Sequence, residues 1–398
     1  MNVLFVGKTS TLETANAILE KTGQNPGFQI IKFINLITDG FRAHNINLSI
    51  ISNVRASSVG VKKEVENNIS YQYIFTYRIP VLSQILYYLQ SFYHTLKWGL
   101  KNTTNRIVFC DIFSSNSSIS GSVLAAKLLR IPTCALVTDM ITTPLTTTLN
   151  TQHIFWKLFF KIRKYKLLQS LKKYDCFVFV TDHMPKIYNP LKRPYIIMEG
   201  SVDNTFIPLE NNKKDVPRII MYAGAIEAEY GFNELVQAFM SLPNTDIELH
   251  IYGAGKFVKK LLEYQKQDSR IKYMGVVNNQ QIVEAEQRAT LLVNPRLSHE
   301  EYVKYSFPSK TSEYMLSGTP LLTTKLGGIP DEYFQYVYVF ADETVKGFAQ
   351  TMEEILSYPE NEIEQKGKAA QNFILNNKNN IIQSKRVVDL FIQTIKKL

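Results

Sequence analysis

Residues 294–320, NPRLSHEEYVKYSFPSKTSEYMLSGTP, separate two short apolar runs, TLLVN at 290–294 and PLLTT at 320–324. We predict that both runs are strands and that the polar stretch between them forms a loop and then a short helix. Pro308 suits the first helical position, where its missing N–H costs nothing, and Gly318 suits the left-handed residue that ends a helix. The stretch therefore predicts a strand, a loop, a helix and a strand in succession.

Two charged residues lie near the start of this predicted helix. Lys310 and Glu313 are three positions apart, so they share one face of its first turns. A helix N-terminus offers free N–H groups and the positive end of a dipole, which suit a phosphate. The pattern suits a ligand that carries both phosphate and sugar hydroxyl groups. The alternative is a solvated helix start with an incidental ion pair, since charged first turns are common.

Composition limits the classes of protein to consider. A chain of 398 residues exceeds one ordinary core, so we expect two domains, and 45% hydrophobic residues are typical of a globular protein. Residues 1–7 (MNVLFVG) have no basic n-region and are predicted to form a strand rather than a secretory signal. The longest stretch without charge, 79–96, contains Ser, Gln, His and Thr, which argues against a transmembrane helix. Cys110, Cys134 and Cys176 lie in apolar runs without metal spacing, so we expect reduced thiols and a cytoplasmic location.

Positive charge is concentrated in the first half of the chain. Residues 1–200 hold 23 Lys and Arg against 10 Asp and Glu, a balance of +13, whereas the remaining residues have a balance of −3. The first half is therefore expected to meet a membrane surface, an acidic or pyrophosphate-bearing acceptor, or nucleic acid. No nucleic-acid-binding motif accompanies the charge, so we predict no nucleic-acid partner.

Apolar runs alternate with helical stretches along the chain. Several runs are continuous, as in strands buried on both faces of a parallel sheet. We predict an α/β fold with two Rossmann-like doubly wound domains, at 1–200 and 218–398, joined by a polar linker at 201–217. Tandem domains of this kind place a ligand cleft at the carboxyl ends of their strands. The predicted strands are 2–6, 47–52, 71–77, 106–110, 133–138, 176–180 and 195–198, then 218–222, 247–252, 271–274, 290–294, 320–324 and 336–340.

Two segments of the first domain, 81–101 and 153–173, mix apolar, aromatic and basic residues. The second segment carries seven Lys and Arg among its aromatic residues. Such a mixture is typical of a helix that lies in a membrane interface, with rings at the headgroup level and cations near anionic lipid. The alternative is a half-buried helix with a solvated basic face. In the first segment, the predicted apolar stripe consists of Ile85, Leu89, Phe92 and Leu96.

Several familiar catalytic motifs are missing from the sequence. There is no P-loop, no GxGxxG after the first strand, no Cys/His metal cluster and no GxSxG. No Asp-x-Asp occurs either, so a metal that bridges a nucleotide diphosphate is not indicated. We therefore expect neither a metal nor a cofactor.

Loops of the second half, taken with the 294–320 stretch, resemble the motifs of the retaining GT-B glycosyltransferases, the glycosyl transferases group 1 family. These enzymes build polysaccharides and glycolipids from nucleotide sugars. The wording FPSK–EYM–SG–P is closest to enzymes of capsule and exopolysaccharide synthesis. In the first half the resemblance rests on topology, on TDM at 138–140 and on FVTDHMPK at 179–186. In the second half it rests on YIIMEGSVD, MYAGAIEAEYGFNELVQAF, ELHIYGAGK, YMGVVNNQQIVEAEQRATLLVNPR and FPSKTSEYMLSGTPLLTT, which together cover nearly all of 195–340.

This resemblance implies roles for particular residues. Glu313 matches the glutamate that holds the ribose, and Asp139, at the end of a predicted strand, matches a position that contacts the acceptor or the sugar near its anomeric carbon. A strand-end Asp is also a common helix cap. Thr181 and His183 follow the next strand and are weaker candidates. The implied donor-binding residues are Gly224, Gly253, Gly255, Arg296, Ser306, Phe307, Ser309, Lys310 and Glu313.

The sequence departs from the family at three charged positions. Ala225 stands where the family has an arginine, Tyr230 where it has a lysine, and Tyr305 where it has its first glutamate. Two phosphates in a partly desolvated site still need neutralising. We therefore predict that Arg296 and Lys310 replace the missing cations.

The function implied by the resemblance is transfer of a sugar, with retention, from a nucleotide diphosphate sugar to a hydroxyl of a carbohydrate or lipid-linked acceptor. The first domain would bind the acceptor and the second the donor, and the final helices, about 342–398, would complete the second domain and cross back. The enzyme would be cytoplasmic, in contact with the inner membrane face through 81–101 and 153–173, and would serve bacterial surface polysaccharide synthesis. The alternatives are a non-catalytic GT-B subunit of a polysaccharide-assembly complex and a sugar-nucleotide epimerase.

Overall fold

The computed structural model describes residues 1–75, 79–140, 165–209 and 213–397. Its contacts divide the chain into two compact units. Unit 1 comprises Met1–Ser201 together with Asn380–Leu398, and unit 2 comprises Val202–Asn379. Within the described residues, no helix is both long enough and apolar enough to cross a membrane.

Each unit is built on one sheet. In the described part of unit 1, eight strands have the order β3-β4-β2-β1-β5-β6-β7-β8, and all neighbours are parallel except β3 and β4. In unit 2, six parallel strands have the order β11-β10-β9-β12-β13-β14. The strands are β1 (Asn2–Gly7), β2 (Asn47–Ser52), β3 (Lys63–Glu66), β4 (Ile69–Tyr73), β5 (Arg106–Asp111), β6 (Thr133–Val137), β7 (Cys176–Phe179), β8 (Tyr195–Ile197), β9 (Arg218–Ala225), β10 (Ile247–Ala254), β11 (Ile271–Gly275), β12 (Leu291–Asn294), β13 (Leu321–Thr323) and β14 (Tyr338–Val339).

Helices connect most of these strands, so both units are α/β and the predicted fold class is confirmed. Residues 165–171 are also helical. The other α-helices of the described residues are α1 (Leu12–Thr22), α2 (Phe28–Ala43), α3 (Pro80–Lys101), α4 (Asn116–Leu128), α5 (Met184–Tyr188), α6 (Phe232–Met240), α7 (Val258–Gln267), α8 (Asn279–Arg288), α9 (Ser309–Ser317), α10 (Val345–Ser357), α11 (Glu360–Asn377) and α12 (Asn380–Lys396).

Several predicted boundaries were wrong, three of them as follows. The strand expected at 71–77 ends at Tyr73, and its positions 76 and 77 lie outside the described residues. The strand expected at 336–340 shrinks to β14, because Asp331–Tyr336 form a 3-10 helix. Pro308 is the N-cap of α9 rather than its first residue, with an extended backbone at ψ 106°. Such shifts of one or two residues are usual at helix ends.

The core of unit 1 includes residues from both ends of the chain. Phe109 of β5 contacts Phe5 of β1 at 5.6 Å and Phe391 of α12 at 5.3 Å between ring centroids. Phe41 of α2 also contacts Phe391, at 5.9 Å. All four rings are buried, and burial of such large apolar side chains is the main stabilising term of a core. Helix α12 is therefore part of the core of unit 1.

In unit 2, a buried tyrosine fixes α9 to the central strand β9. The Tyr314 hydroxyl accepts the backbone N–H of Ala223 at 2.8 Å and donates to the backbone carbonyl of the same residue at 3.1 Å. At the other end of the helix, Gly318 is left-handed (φ 79°), as the sequence predicts. The start of α9 is thus held beside the carboxyl end of β9, where the ends of β9 and β10 meet.

Candidate functional site

The loops at the carboxyl ends of β9 and β10 pack tightly because they contain glycine. Gly253 has a φ of 128°, and a Cβ there would collide with the carbonyl oxygen of Gly224. A Cβ on Gly255 would collide with the carbonyl oxygen of Ile226. The three glycines predicted for the donor loops thus allow two strand ends to touch. Backbone groups can approach a ligand at such a site.

Lys310, the second residue of α9, crosses the end of β9. Its Cδ lies 3.2 Å from the point that a Cβ on Gly224 would occupy, and its Cε lies closer still. Its ammonium nitrogen lies 5.7 Å from the centre of the Tyr314 ring. A side chain at position 224 would therefore displace the lysine. Lys310 and Gly224 therefore lie side by side, as two residues predicted for the same donor site should.

Arg296 lies between two aromatic rings. Its guanidinium carbon is 4.2 Å from the centre of the Tyr230 ring and 5.8 Å from that of Tyr302. Its backbone carbonyl accepts a hydrogen bond from the hydroxyl of Thr324. Arginine stacks well on aromatic faces and keeps its N–H groups free at the edge for an anion. Tyr302 was not predicted as a site residue, and nothing in the sequence around it indicates that its ring contacts Arg296.

Tyr222 lies near both Lys310 and Arg296. Its hydroxyl donates to the carbonyl of Ala225 at 2.9 Å and lies 2.8 Å from the point that a Cβ on Gly224 would occupy, beside Lys310. Burial raises the pKa of Tyr222, and the positive charge of Arg296 acts in the opposite direction. Arg296 and Lys310 therefore both lie around the end of β9, and two cations in one place can neutralise two phosphate groups.

The remaining candidates surround the start of α9. Ser309 is exposed, whereas Ser306, Phe307 and Glu313 are half-buried. Phe307 packs edge-on against Tyr333 at 5.7 Å, so its side chain supports the loop. Sequence reasoning missed two neighbouring hydroxyl groups. Those of Thr311 and Ser312 are buried and have no hydrogen-bond partner among the described residues.

Unit 1 carries separate candidates at the carboxyl ends of its strands. Asp139 lies two residues beyond β6 and is exposed, and its Oδ1 accepts the N–H of Met140 at 2.7 Å. Thr181 is buried, and its hydroxyl has no hydrogen-bond partner among the described residues. His183 precedes α5, and its Nδ1 lies 2.7 Å from Oδ1 of Asp182. The second predicted membrane segment, 153–173, lies outside the described residues up to position 164.

Asp111 is a further candidate that sequence reasoning missed. It ends β5 next to the end of β1, where the strand order of the sheet reverses, and ligands of doubly wound folds bind at such reversals. Its carboxylate accepts backbone N–H groups of Phe113, at 3.1 Å, and Lys8. Burial nevertheless raises the pKa of Asp111 to about 6. The sequence contained this signal, because Asp111 directly follows the predicted strand 106–110, as Asp139 directly follows the predicted strand 133–138.

Within the described ranges, no group of three or more His, Cys, Asp or Glu side chains is placed to hold a metal ion. The expectation of metal-free binding therefore rests on Arg296 and Lys310, and it stays a prediction.

Comparisons with known proteins bear on both units. Residues 203–379, which are unit 2 without its first residue, match the family Glycosyl transferases group 1. A search of curated protein sequences finds no match. Sucrose-phosphate synthase from Thermosynechococcus elongatus has a TM-score of 0.69 at 12% identity, and Anabaena HepE in complex with UDP has 0.64 at 11%. The lipopolysaccharide outer core galactosyltransferase WaaB, in its apo form, has 0.60 at 14%. Each alignment covers 100% of both chains, and the chain therefore has the GT-B fold.

Proposed function

We propose that this nucleotide-sugar glycosyltransferase transfers a sugar, with retention at the anomeric carbon, to a hydroxyl of a carbohydrate or lipid-linked acceptor in bacterial surface polysaccharide synthesis. The observation that carries the proposal is the convergence of Arg296 and Lys310 on the end of β9. The other support is the family match of residues 203–379.

The donor would bind to unit 2 through its diphosphate. Arg296 presents a planar fork of N–H groups suited to bidentate contact with phosphate, whereas Lys310 supplies a compact charge. The N-terminal N–H groups of α9 add donors and a favourable dipole. Since HepE binds UDP, a uridine nucleotide is a reasonable first donor to test. In this arrangement Glu313 would accept hydrogen bonds from the ribose hydroxyl groups.

Catalysis would depend mainly on positioning and on stabilising the leaving group. As the bond to the anomeric carbon breaks, negative charge grows on the diphosphate oxygens beside Arg296 and Lys310. Fixed cations stabilise that charge more strongly in the transition state than in the ground state. In a retaining reaction the leaving diphosphate can itself accept the proton of the acceptor hydroxyl. The chain then needs to hold the acceptor hydroxyl on the same face of the anomeric carbon as the leaving diphosphate.

Unit 1 would bind the acceptor, with Asp139 near the acceptor hydroxyl. The excess of positive charge in residues 1–200 favours an acceptor that carries phosphate or another anionic group. The similarity to a lipopolysaccharide galactosyltransferase favours a surface polysaccharide as the product. We propose a cytoplasmic enzyme that contacts the inner face of the membrane through 81–101 and 153–173.

The test is a panel of nucleotide diphosphate sugars, with release of free nucleotide diphosphate as the measurement. We expect release with one donor and a marked increase when an acceptor hydroxyl is present. An epimerase would convert the donor without releasing nucleotide diphosphate. A non-catalytic subunit would bind a donor and release nothing, and either result would contradict the proposal.

A further inference from the structure

Helices α3 and α4 of unit 1 pack against each other through small polar residues. The Oγ atoms of Ser91 and Ser118 lie 2.7 Å apart, and the hydroxyl of Thr95 donates to Oγ of Ser122 at 2.9 Å. All four side chains are buried. The contact between the helices therefore consists of hydroxyl pairs rather than of large apolar groups.

The two helix backbones are also unusually close. Gly121 of α4 faces the backbone of α3, and a Cβ at this position would collide with the carbonyl oxygen of Tyr88. It would also lie 3.1 Å from the backbone nitrogen of Phe92. Small residues on α4 thus allow an approach that a leucine or valine would prevent.

Several large apolar residues of the same helices are exposed rather than buried in this contact. Ile85 and Leu89 are 52% and 54% exposed, and Leu128 of α4 is 62% exposed. Phe92 and Leu96, which the sequence placed on the same stripe as Ile85, are half-buried instead. The full set of exposed apolar side chains on the two helices is Val81, Leu82, Ile85, Leu89, Tyr93, Leu100, Leu124 and Leu128.

This arrangement is the reverse of a helix pair that is surrounded by water. In water, apolar side chains fill the contact between helices and polar ones face the solvent. In lipid, small and hydroxyl-bearing residues bring helices together, because large apolar side chains gain as much from acyl chains as from each other. The packing of α3 on α4 follows the second pattern.

The charges on these helices distinguish between two apolar partners, a second copy of the chain and a membrane. Neither helix contains an Asp or a Glu, and Lys97 and Lys101 are exposed near the end of α3. A second copy of the chain that met this face with its own α3 and α4 would have no carboxylate on those helices to pair with the lysines. Anionic lipid headgroups supply both the apolar phase and the opposite charge.

We infer that the outward faces of α3 and α4 lie in the interface of an anionic membrane, with Ile85, Leu89 and Leu128 among the acyl chains and Lys97 and Lys101 at the headgroups. This inference deepens the membrane contact in the proposed function by naming the surface that makes it. It does not depend on the transfer reaction.

The experiment is flotation of the full chain with vesicles of phosphatidylcholine, with and without phosphatidylglycerol. We expect the chain to float with the anionic vesicles and the double variant Ile85→Ser, Leu89→Ser to partition about ten-fold less. The matched control is Val65→Ser, Leu262→Ser, which removes two exposed apolar side chains elsewhere and should float like the wild type. Equal flotation of all three proteins would overturn the inference.

A probe on the face distinguishes lipid from a second copy. The three native cysteines are buried, so a Leu89→Cys variant offers an accessible thiol for an environment-sensitive fluorophore. We expect its emission to shift to the blue only when anionic vesicles are added. A shift that appears with protein concentration in the absence of vesicles would assign the face to self-association instead.

Donor turnover in the same samples separates this inference from the proposed function. A chain that floats but releases no nucleotide diphosphate would contradict the transfer proposal and leave the surface standing. A chain that turns over donor but stays at the bottom at low salt would overturn the surface alone.

Discussion

The guanidinium of Arg296 lies 4.2 Å from the ring of Tyr230, a residue 66 positions earlier in the chain. Tyr230 stands where the resembled family carries a lysine. An aromatic ring thus occupies the position of one expected cation and holds another cation, which comes from a different loop. We predict that the charge at the proposed donor site is relocated rather than lost.

Removing both relocated cations should weaken donor binding. We expect the double variant Arg296→Ala, Lys310→Ala to raise the Kd for nucleotide diphosphate about a hundred-fold, since each hydrogen bond to a charged group contributes about 1.5–3 kcal/mol. Titration calorimetry measures the change. The control Lys266→Ala, Lys346→Ala removes the same charge from exposed helix positions and should keep the wild-type Kd. Equal affinities for all three proteins would refute the relocation.

The ring of Tyr230, rather than its hydroxyl, should be what positions Arg296. We expect Tyr230→Phe to bind the donor nearly as the wild type does, and Tyr230→Leu to bind several-fold more weakly, because a cation over a ring gains about 0.5–2 kcal/mol. Kd values from the same titration compare the two. In an Arg296→Ala background the difference between Phe and Leu should vanish, and a difference that persists would mean that Tyr230 acts without Arg296.

Two neighbouring glycines should respond differently to the same substitution. Gly224→Ala meets the side chains of Lys310 and Tyr222 rather than backbone, so donor affinity should fall more than stability does. Gly253→Ala meets a backbone carbonyl and carries a φ of 128°, so it should lower stability by about 1–3 kcal/mol. Scanning calorimetry and donor titration on both variants check this contrast, and two identical profiles would contradict it.

Asp111 should make stability depend on pH in mildly acid solution. Because burial raises its pKa from 3.8 to about 6, the folded state holds a proton that the unfolded state releases. Stability should therefore fall as pH rises from about 4 to about 6, by about 3 kcal/mol for this group. Urea unfolding at several pH values should show a smaller loss for Asp111→Asn than for the wild type. The control Asp331→Asn, at a highly exposed carboxylate, should follow the wild type.

Donor binding should tolerate chelation of divalent metals, because Arg296 and Lys310 supply the positive charge. We expect the Kd for nucleotide diphosphate with EDTA to match that with added magnesium. A metal requirement that appears only in the Arg296→Ala, Lys310→Ala variant would agree with this account. A requirement in the wild type would contradict it.

Much of the fold could be predicted from the sequence, because the patterns that mark its strands and helices are local. The run from β12 through α9 to β13 is marked by apolar strands, by Pro308 and by Gly318, and each of these acts within a few residues. The edge strand β3, with charges at three of its four positions, has too weak a pattern to stand out.

The candidate site could be predicted only in part, because its main contacts join segments that are distant in sequence. Arg296 could be assigned to the donor site through the motif, but its contacts with Tyr230 and Tyr302 depend on how three loops pack. Asp111 could be seen at a strand end, but its burial follows from the pairing of β5 with β1. Sequence alone could not show that the apolar faces of α3 and α4 are exposed. Hydrophobic periodicity identifies an apolar helix face but not what packs against it.

Helix α12, with Phe391 in the core of unit 1, makes unit 2 an insertion within unit 1. During synthesis, residues 380–397 emerge after the whole of unit 2, so unit 1 cannot close its core until then. A fragment that stops at residue 201 would leave the Phe41 and Phe109 rings without their partner and would expose them to water. Unit 2, in contrast, is continuous in sequence, so we expect that it can be excised as one piece.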